Sequence, residues 1–256
     1  MNQAQSETLT QIAHAFAAQS GDISIIIESR TDPERLVEVN ADRRLPSASV
    51  IKAAIACAAA DLPNLDLTDT IAVRELDPTF YCSIVRAFAP EDRLTLKSLI
   101  GLMLIVSDNP ATTAVLNALG LESINDWFAR NGLANTHIEV GFDDASLGAP
   151  LRANLTTARD CLRLLRLVDA QPKYAFIKRM LANNLRNERI PKMLPDDVVT
   201  AHKTGTLNGL VHDIAIIESP TAAFYLIVLA DGLPDGHDFA REIARFSKQV
   251  YELMAG

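Results

Sequence analysis

Residues 198–230 read VVTAHKTGTLNGLVHDIAIIESPTAAFYLIVLA, and this stretch decides the fold. It holds three apolar runs separated by short turns: VVTAHK (198–203), VHDIAIIE (211–218) and AFYLIVLA (223–230). Runs of that length, rich in β-branched and aromatic residues, predict consecutive strands. An amphipathic helix over 238–254 follows them. At the other end of the chain, SIIIES (24–29) and LVEVN (36–40) predict two more strands, joined by a polar turn from Arg30 to Arg35. A helical pattern over 5–19, closed by Gly21-Asp22, precedes them. Between these ends the pattern is helical: 49–62, apolar on nearly all sides, then 95–106, 110–119, 122–131, 156–168 and 174–186. Pro110 suits a first helical turn, and Thr156 or Thr157 suits an N-cap. The chain is therefore expected to be of the α/β (α+β) class. An antiparallel sheet is flanked by the terminal helices and carries an all-α insertion. Residues 1–42 with 190–256 form the discontinuous sheet domain, and 43–189 the helical one.

Composition excludes several kinds of function. Lys and Arg total 24 against 32 Asp and Glu, a net charge of −8, so nucleic-acid phosphates and anionic membrane surfaces would repel the chain. Neither is an expected partner. Three cysteines, Cys57, Cys82 and Cys161, form no Cys-x-x-Cys pair, and Cys57 and Cys161 read as small buried side chains. The histidines (His14, His137, His202, His212, His237) show no ligand spacing, so no metal and no cofactor is expected. No apolar run reaches the roughly 18 residues of a membrane span, and no secretory leader is visible at the N-terminus. That predicts a cytoplasmic protein if Met1 is the native start, and a periplasmic or secreted one if a leader has been removed. The sequence sets no oligomeric state.

Three short motifs carry the chemistry, each occurring once: Ser49-Val50-Ile51-Lys52, Ser107-Asp108-Asn109 and Lys203-Thr204-Gly205. A serine at a helix start and a lysine three residues on share one face, a turn apart. A serine hydroxyl attacks well only when a base takes its proton. Lys52 is such a base only when neutral, a state favoured by an apolar helix and a second cation, Lys203. The positive end of the helix also points at the attacked carbonyl.

S-x-x-K, S-D-N and K-T-G, in this order, resemble the class A β-lactamases and penicillin-binding proteins. The similarity extends to NADRRLPSASVIK, to LTLKSLIGLMLIVSDNPATTAVLNALG and to LPDDVVTAHKTGTLNGLVHDIAIIE with its Gly209 and Asp213, and it runs from about residue 22 to the C-terminus. It implies a β-lactamase/transpeptidase-like fold and a small-molecule acyl substrate, a β-lactam or a D-alanyl-type peptide. Ser49 would be the nucleophile, and the backbone N–H groups of Ser49 and Thr206 the oxyanion hole. Ser107 would pass the proton to the leaving nitrogen, and Asn109 would bind the substrate's amide side chain. Asp108 would be structural. Lys203 would place positive charge by the substrate carboxylate, beside Thr204, Gly205 and Thr206, and Arg189 would contact that carboxylate too.

One segment departs from the family. Class A enzymes carry E-x-x-L-N, whose Glu activates the water that frees the acyl-enzyme. The matching stretch, THIEVGFDDASLGAPLRANLTTARD (136–160), lacks it. Glu139, Asp143 and Asp144 are the acids present there. Two outcomes follow for an enzyme: β-lactams acylate Ser49 and leave slowly, or the substrate is a D-alanyl peptide, ester or amide whose release reuses Lys52. A slow penicillin-binding sensor is the non-enzyme alternative.

Overall fold

The structure, a computed structural model, describes residues 3–63, 65–76, 83–142 and 150–256. Five strands form one antiparallel sheet: β1 (Asp22–Ser29), β2 (Leu36–Val39), β3 (Val199–Leu207), β4 (Leu210–Glu218) and β5 (Ala223–Asp231). Their spatial order is β2-β1-β5-β4-β3. The two ends of the chain meet where β1 pairs with β5, Ile26 opposite Ile227.

The near-continuous apolar runs have a simple cause: both faces of the sheet are covered. Side chains alternate along β1. Ile23, Ile25 and Ile27 pack with Leu9, Ala13 and Phe16 of α1 (Gln3–Ala17) and with Ile243, Phe246 and Val250 of α8 (Gly236–Ala255). Ile26 joins the other core, built on α2 (Ile51–Asp61), α3 (Leu96–Ile105), α4 (Asn109–Leu119), α5 (Leu121–Arg130), α6 (Ala158–Ala170) and α7 (Ala175–Ala182). Every residue of α2 from Ile51 to Ala59 is buried. Its small alanines let neighbouring helices close in on all sides. Asp61 anchors its far end, accepting hydrogen bonds from Trp127 (2.9 Å) and Tyr174 (2.5 Å). Ion pairs join helices to sheet: Arg30 with Asp169, Lys178 with Glu218, and Arg166 with the buried Glu28.

Three local expectations change. The helix expected over 174–186 stops at Ala182, because Asn184 turns its side chain to the carbonyls of Leu104 and His202 and so stitches α3 to β3. The helix expected from Ser49 starts at Ile51, and Ser49 sits in a 3₁₀ turn over Ala48–Val50. Two short pairings also arise, Leu45–Pro46 with Leu155–Thr156 and Thr70–Ala72 with Arg93–Thr95. Segments of two or three residues are too short to show a period. Thr157 rather than Thr156 caps α6, accepting a hydrogen bond from the Asp160 N–H. Among the described residues no helix is long and apolar enough to cross a membrane.

Candidate active site

The chain reaches Ser49 through Leu45–Pro46 and then a turn in which Ala48 has φ 44°. A left-handed backbone at alanine costs on the order of 1 kcal/mol or more, which the surrounding packing offsets. Ser49 is left half-buried between buried Ala48 and Val50. Strand β3 presses against this turn, and glycine at 205 is what permits it. A Cβ there would lie 3.1 Å from Ala48 Cβ and 3.3 Å from the Ser49 nitrogen. The backbones of Ser49 and of the residue before Thr206 are thus held in contact. His212 secures the approach, with Nδ1 accepting from the Ala230 N–H and Nε2 facing the Pro46 carbonyl, and burial pushes its pKa down to about 4.

Lys52 lies one turn into the helical segment, wholly buried. Its Nζ is 2.8 Å from the Ser107 carbonyl, 2.6 Å from Asn109 Oδ1 and 3.4 Å from Ser107 Oγ. The ring of buried Phe142 covers another side, its centroid 4.6 Å away. Desolvation, then the charge of Lys203, holds the Lys52 pKa well below the ordinary lysine value, against an opposing pull from Asp108. Lys203, also buried, donates to Ser107 Oγ (3.0 Å) and to the Thr204 carbonyl (2.9 Å). Burial, then Arg189, lowers its pKa to about 7. Two lysines from distant parts of the chain therefore flank one hydroxyl. Ser107 itself is left-handed, φ 62°.

Asp108 caps α4 through the Ala111 N–H (2.9 Å) and takes hydrogen bonds from the Ile84 N–H (2.8 Å) and Ser83 Oγ (2.7 Å). Its carboxylate is spent on two backbone N–H groups and one hydroxyl. Asn109 gives its oxygen to Lys52, which leaves its NH2 group without a partner among the described residues. Thr204 is buried and Thr206 exposed on the same strand. Ser49 Oγ makes no side-chain hydrogen bond among the described residues, so the pairing expected between Ser49 and Lys52 is not formed in this state.

Sequence and fold agree with known proteins. Residues 7–254 match the family described as the beta-lactamase enzyme family. The chain belongs to that family. Beta-lactamase VEB-1 of Pseudomonas aeruginosa is 24% identical over 250 residues, covering 88% of this chain and 82% of the relative. Among solved structures, the beta-lactamase of Sphaerobacter thermophilus superposes with a TM-score of 0.85 at 24% identity, covering 99% of this chain and 98% of that one. The TLA-3 extended-spectrum beta-lactamase gives 0.86 at 19% identity, covering 98% and 100%. PBP-A gives 0.80 at 22% identity, covering 98% and 95%. The fold is the β-lactamase/transpeptidase-like one, and the protein is a serine hydrolase of the β-lactamase type acting on a small molecule.

Other expected residues fall differently. Arg189 is only 4% exposed, and its guanidinium donates to the Gly205 and His212 carbonyls and to Thr206 Oγ1, a strut across β3 and β4 rather than an open cation. Glu139 is exposed, its N–H bonded to Asn154 Oδ1. Asp143, Asp144 and Cys82 lie outside the described residues. Cys57 and Cys161 are buried, with their thiol pKa values pushed up by desolvation. Two residues escaped the sequence reading: Phe142, against Lys52, and Arg186, whose charge lowers the pKa of both lysines. Neither sits in a motif, and only the tertiary fold brings them near.

Proposed function

We propose that the protein opens β-lactam amides through an acyl-enzyme on Ser49, with release the slower half of the cycle. Neutral Lys52 has two N–H bonds, which suit the Ser107 carbonyl and Asn109 Oδ1, and a lone pair that remains for the Ser49 proton. As Ser49 Oγ bonds to the carbonyl carbon, the oxyanion is taken by the N–H groups of Ser49 and Thr206. Losing one such donor costs about 10²–10³ in rate. The proton moves from Lys52 through Ser107 Oγ to the leaving nitrogen as the C–N bond breaks. Lys203, when charged, pairs with the substrate carboxylate beside the Thr204 and Thr206 hydroxyls, while the Asn109 NH2 donates to the acyl side chain's amide. One observation carries this reading: Ser107 Oγ stands 3.0 Å from Lys203 Nζ and 3.4 Å from Lys52 Nζ, between two buried amines that both lose protons easily.

Slow release is supported by the missing E-x-x-L-N segment and by Phe142, an apolar ring that covers one side of the Lys52 amine. A chromogenic cephalosporin, assayed beside a D-Ala-D-Ala peptide, tests the substrate class. Colour should develop with wild type and vanish in Ser49→Ala. Cleavage of the peptide with no reaction of the cephalosporin would contradict it.

A further inference from the structure

Beyond Thr206 the site opens into a cavity of about 450 Å3, between residues 186–189, the β3–β4 turn and the start of α8. Its lining carries positive charge from two arginines. Arg186 is exposed there, and its guanidinium has no hydrogen bond or ion pair among the described residues. Arg189 lines the same wall and, despite its three acceptors, has a buried Nε without a partner. Gly236 begins a helix of 20 residues at the cavity edge, where Asp235 accepts from the Asp238 and Phe239 N–H groups and Asp238 stands in the first turn, so this helix start adds no free positive charge. Against the two arginines stands one carboxylate of the lining, Glu188, at 3.6 Å from Arg189. The balance is cationic, and the free charge is Arg186.

We propose that this cavity is a second anion subsite, which accepts a carboxylate carried on the leaving side of the substrate, with Arg186 as its principal partner. The inference rests on the acyl-enzyme reading above and goes beyond it. There, one carboxylate lies by Lys203, Thr204 and Thr206; here the preferred substrate is dianionic. Arg186 is also close enough to depress the proton affinity of Lys52 and Lys203, which places its charge within electrostatic reach of the reactive centre.

Two cephalosporins that differ only in a neutral or a carboxylate-bearing 3′ substituent test the proposal. Their acylation rates are read by intact mass with wild type, Arg186→Gln and Arg186→Lys. Wild type should favour the dicarboxylate by about tenfold, the worth of one charged hydrogen bond. The preference should collapse in Arg186→Gln and survive in Arg186→Lys. Equal rates in wild type, or an unchanged preference in Arg186→Gln, overturns the subsite while leaving the acyl-enzyme intact. No adduct from either compound removes the acyl-enzyme reading and the subsite with it.

Discussion

The two sides of the reactive centre are built to different standards. On the motif side, Ser107, Asp108, Lys52 and Lys203 interlock, with hydrogen bonds reaching the backbone at Ser107, Thr204, Ala111 and Ile84. Left-handed residues at Ala48 and Ser107 are tolerated to hold that arrangement. On the side of residues 136–160, what meets Lys52 among the described residues is the ring of Phe142, and Glu139 is turned to solvent. A ring can hold an ammonium but cannot take a proton from water. On the proposed reading, the difference teaches that attack and release use separable equipment, and the described residues supply that of attack.

The comparison can be broken first at Lys52. Lys52→Met keeps much of the side chain's bulk and removes the base, so acylation of Ser49 should fall by about 10²–10⁴, the usual worth of a positioned general base. Stopped-flow acylation with a penicillin measures it. A loss under tenfold would move the base elsewhere.

Next in size is Gly205→Ala. The added methyl meets Ala48 Cβ at 3.1 Å and the Ser49 nitrogen at 3.3 Å, so β3 must retreat and the proposed oxyanion donors separate. A loss of about 10² in acylation is expected, with thermal melting checked alongside. Unchanged acylation would show that the close approach of strand and turn is dispensable.

The pH profile gives the subtlest effects. Attack needs neutral Lys52, so the acylation rate should rise with pH through its lowered pKa and then level. Lys203 loses its charge above about 7, so KM for a carboxylate substrate should rise over the same range. Phe142→Leu removes a partner of the ammonium, so the amine should hold its proton less well and the acid limb should move to lower pH, by under about one unit. A shift to higher pH would contradict the contact's role.

How much of this was legible beforehand follows from the range of each signal. The strands, buried on both faces, announce themselves as apolar runs, and the start of α4 follows from Pro110, which sits in its first turn. The early end of α7 was hidden, because the apolar spacing continues while Asn184 answers to carbonyls at residues 104 and 202. Left-handed Ala48 and Ser107 carry no mark in the sequence, since neither residue type signals positive φ. The burial of Arg189, expected as a contact of the substrate carboxylate, could not be read beforehand, because sequence shows charge but not burial. Phe142 and Arg186 depend on contacts between segments far apart in the chain, and no local pattern encodes them.

Intact mass spectrometry over time, after mixing with a penicillin, tests the central claim most directly. Wild type should gain the full mass of the penicillin within the first points and keep it through many later ones, while Ser49→Ala stays unmodified. An unmodified wild-type protein that turns nothing over would contradict attack by Ser49. Fast turnover without an accumulating adduct would contradict the division between attack and release.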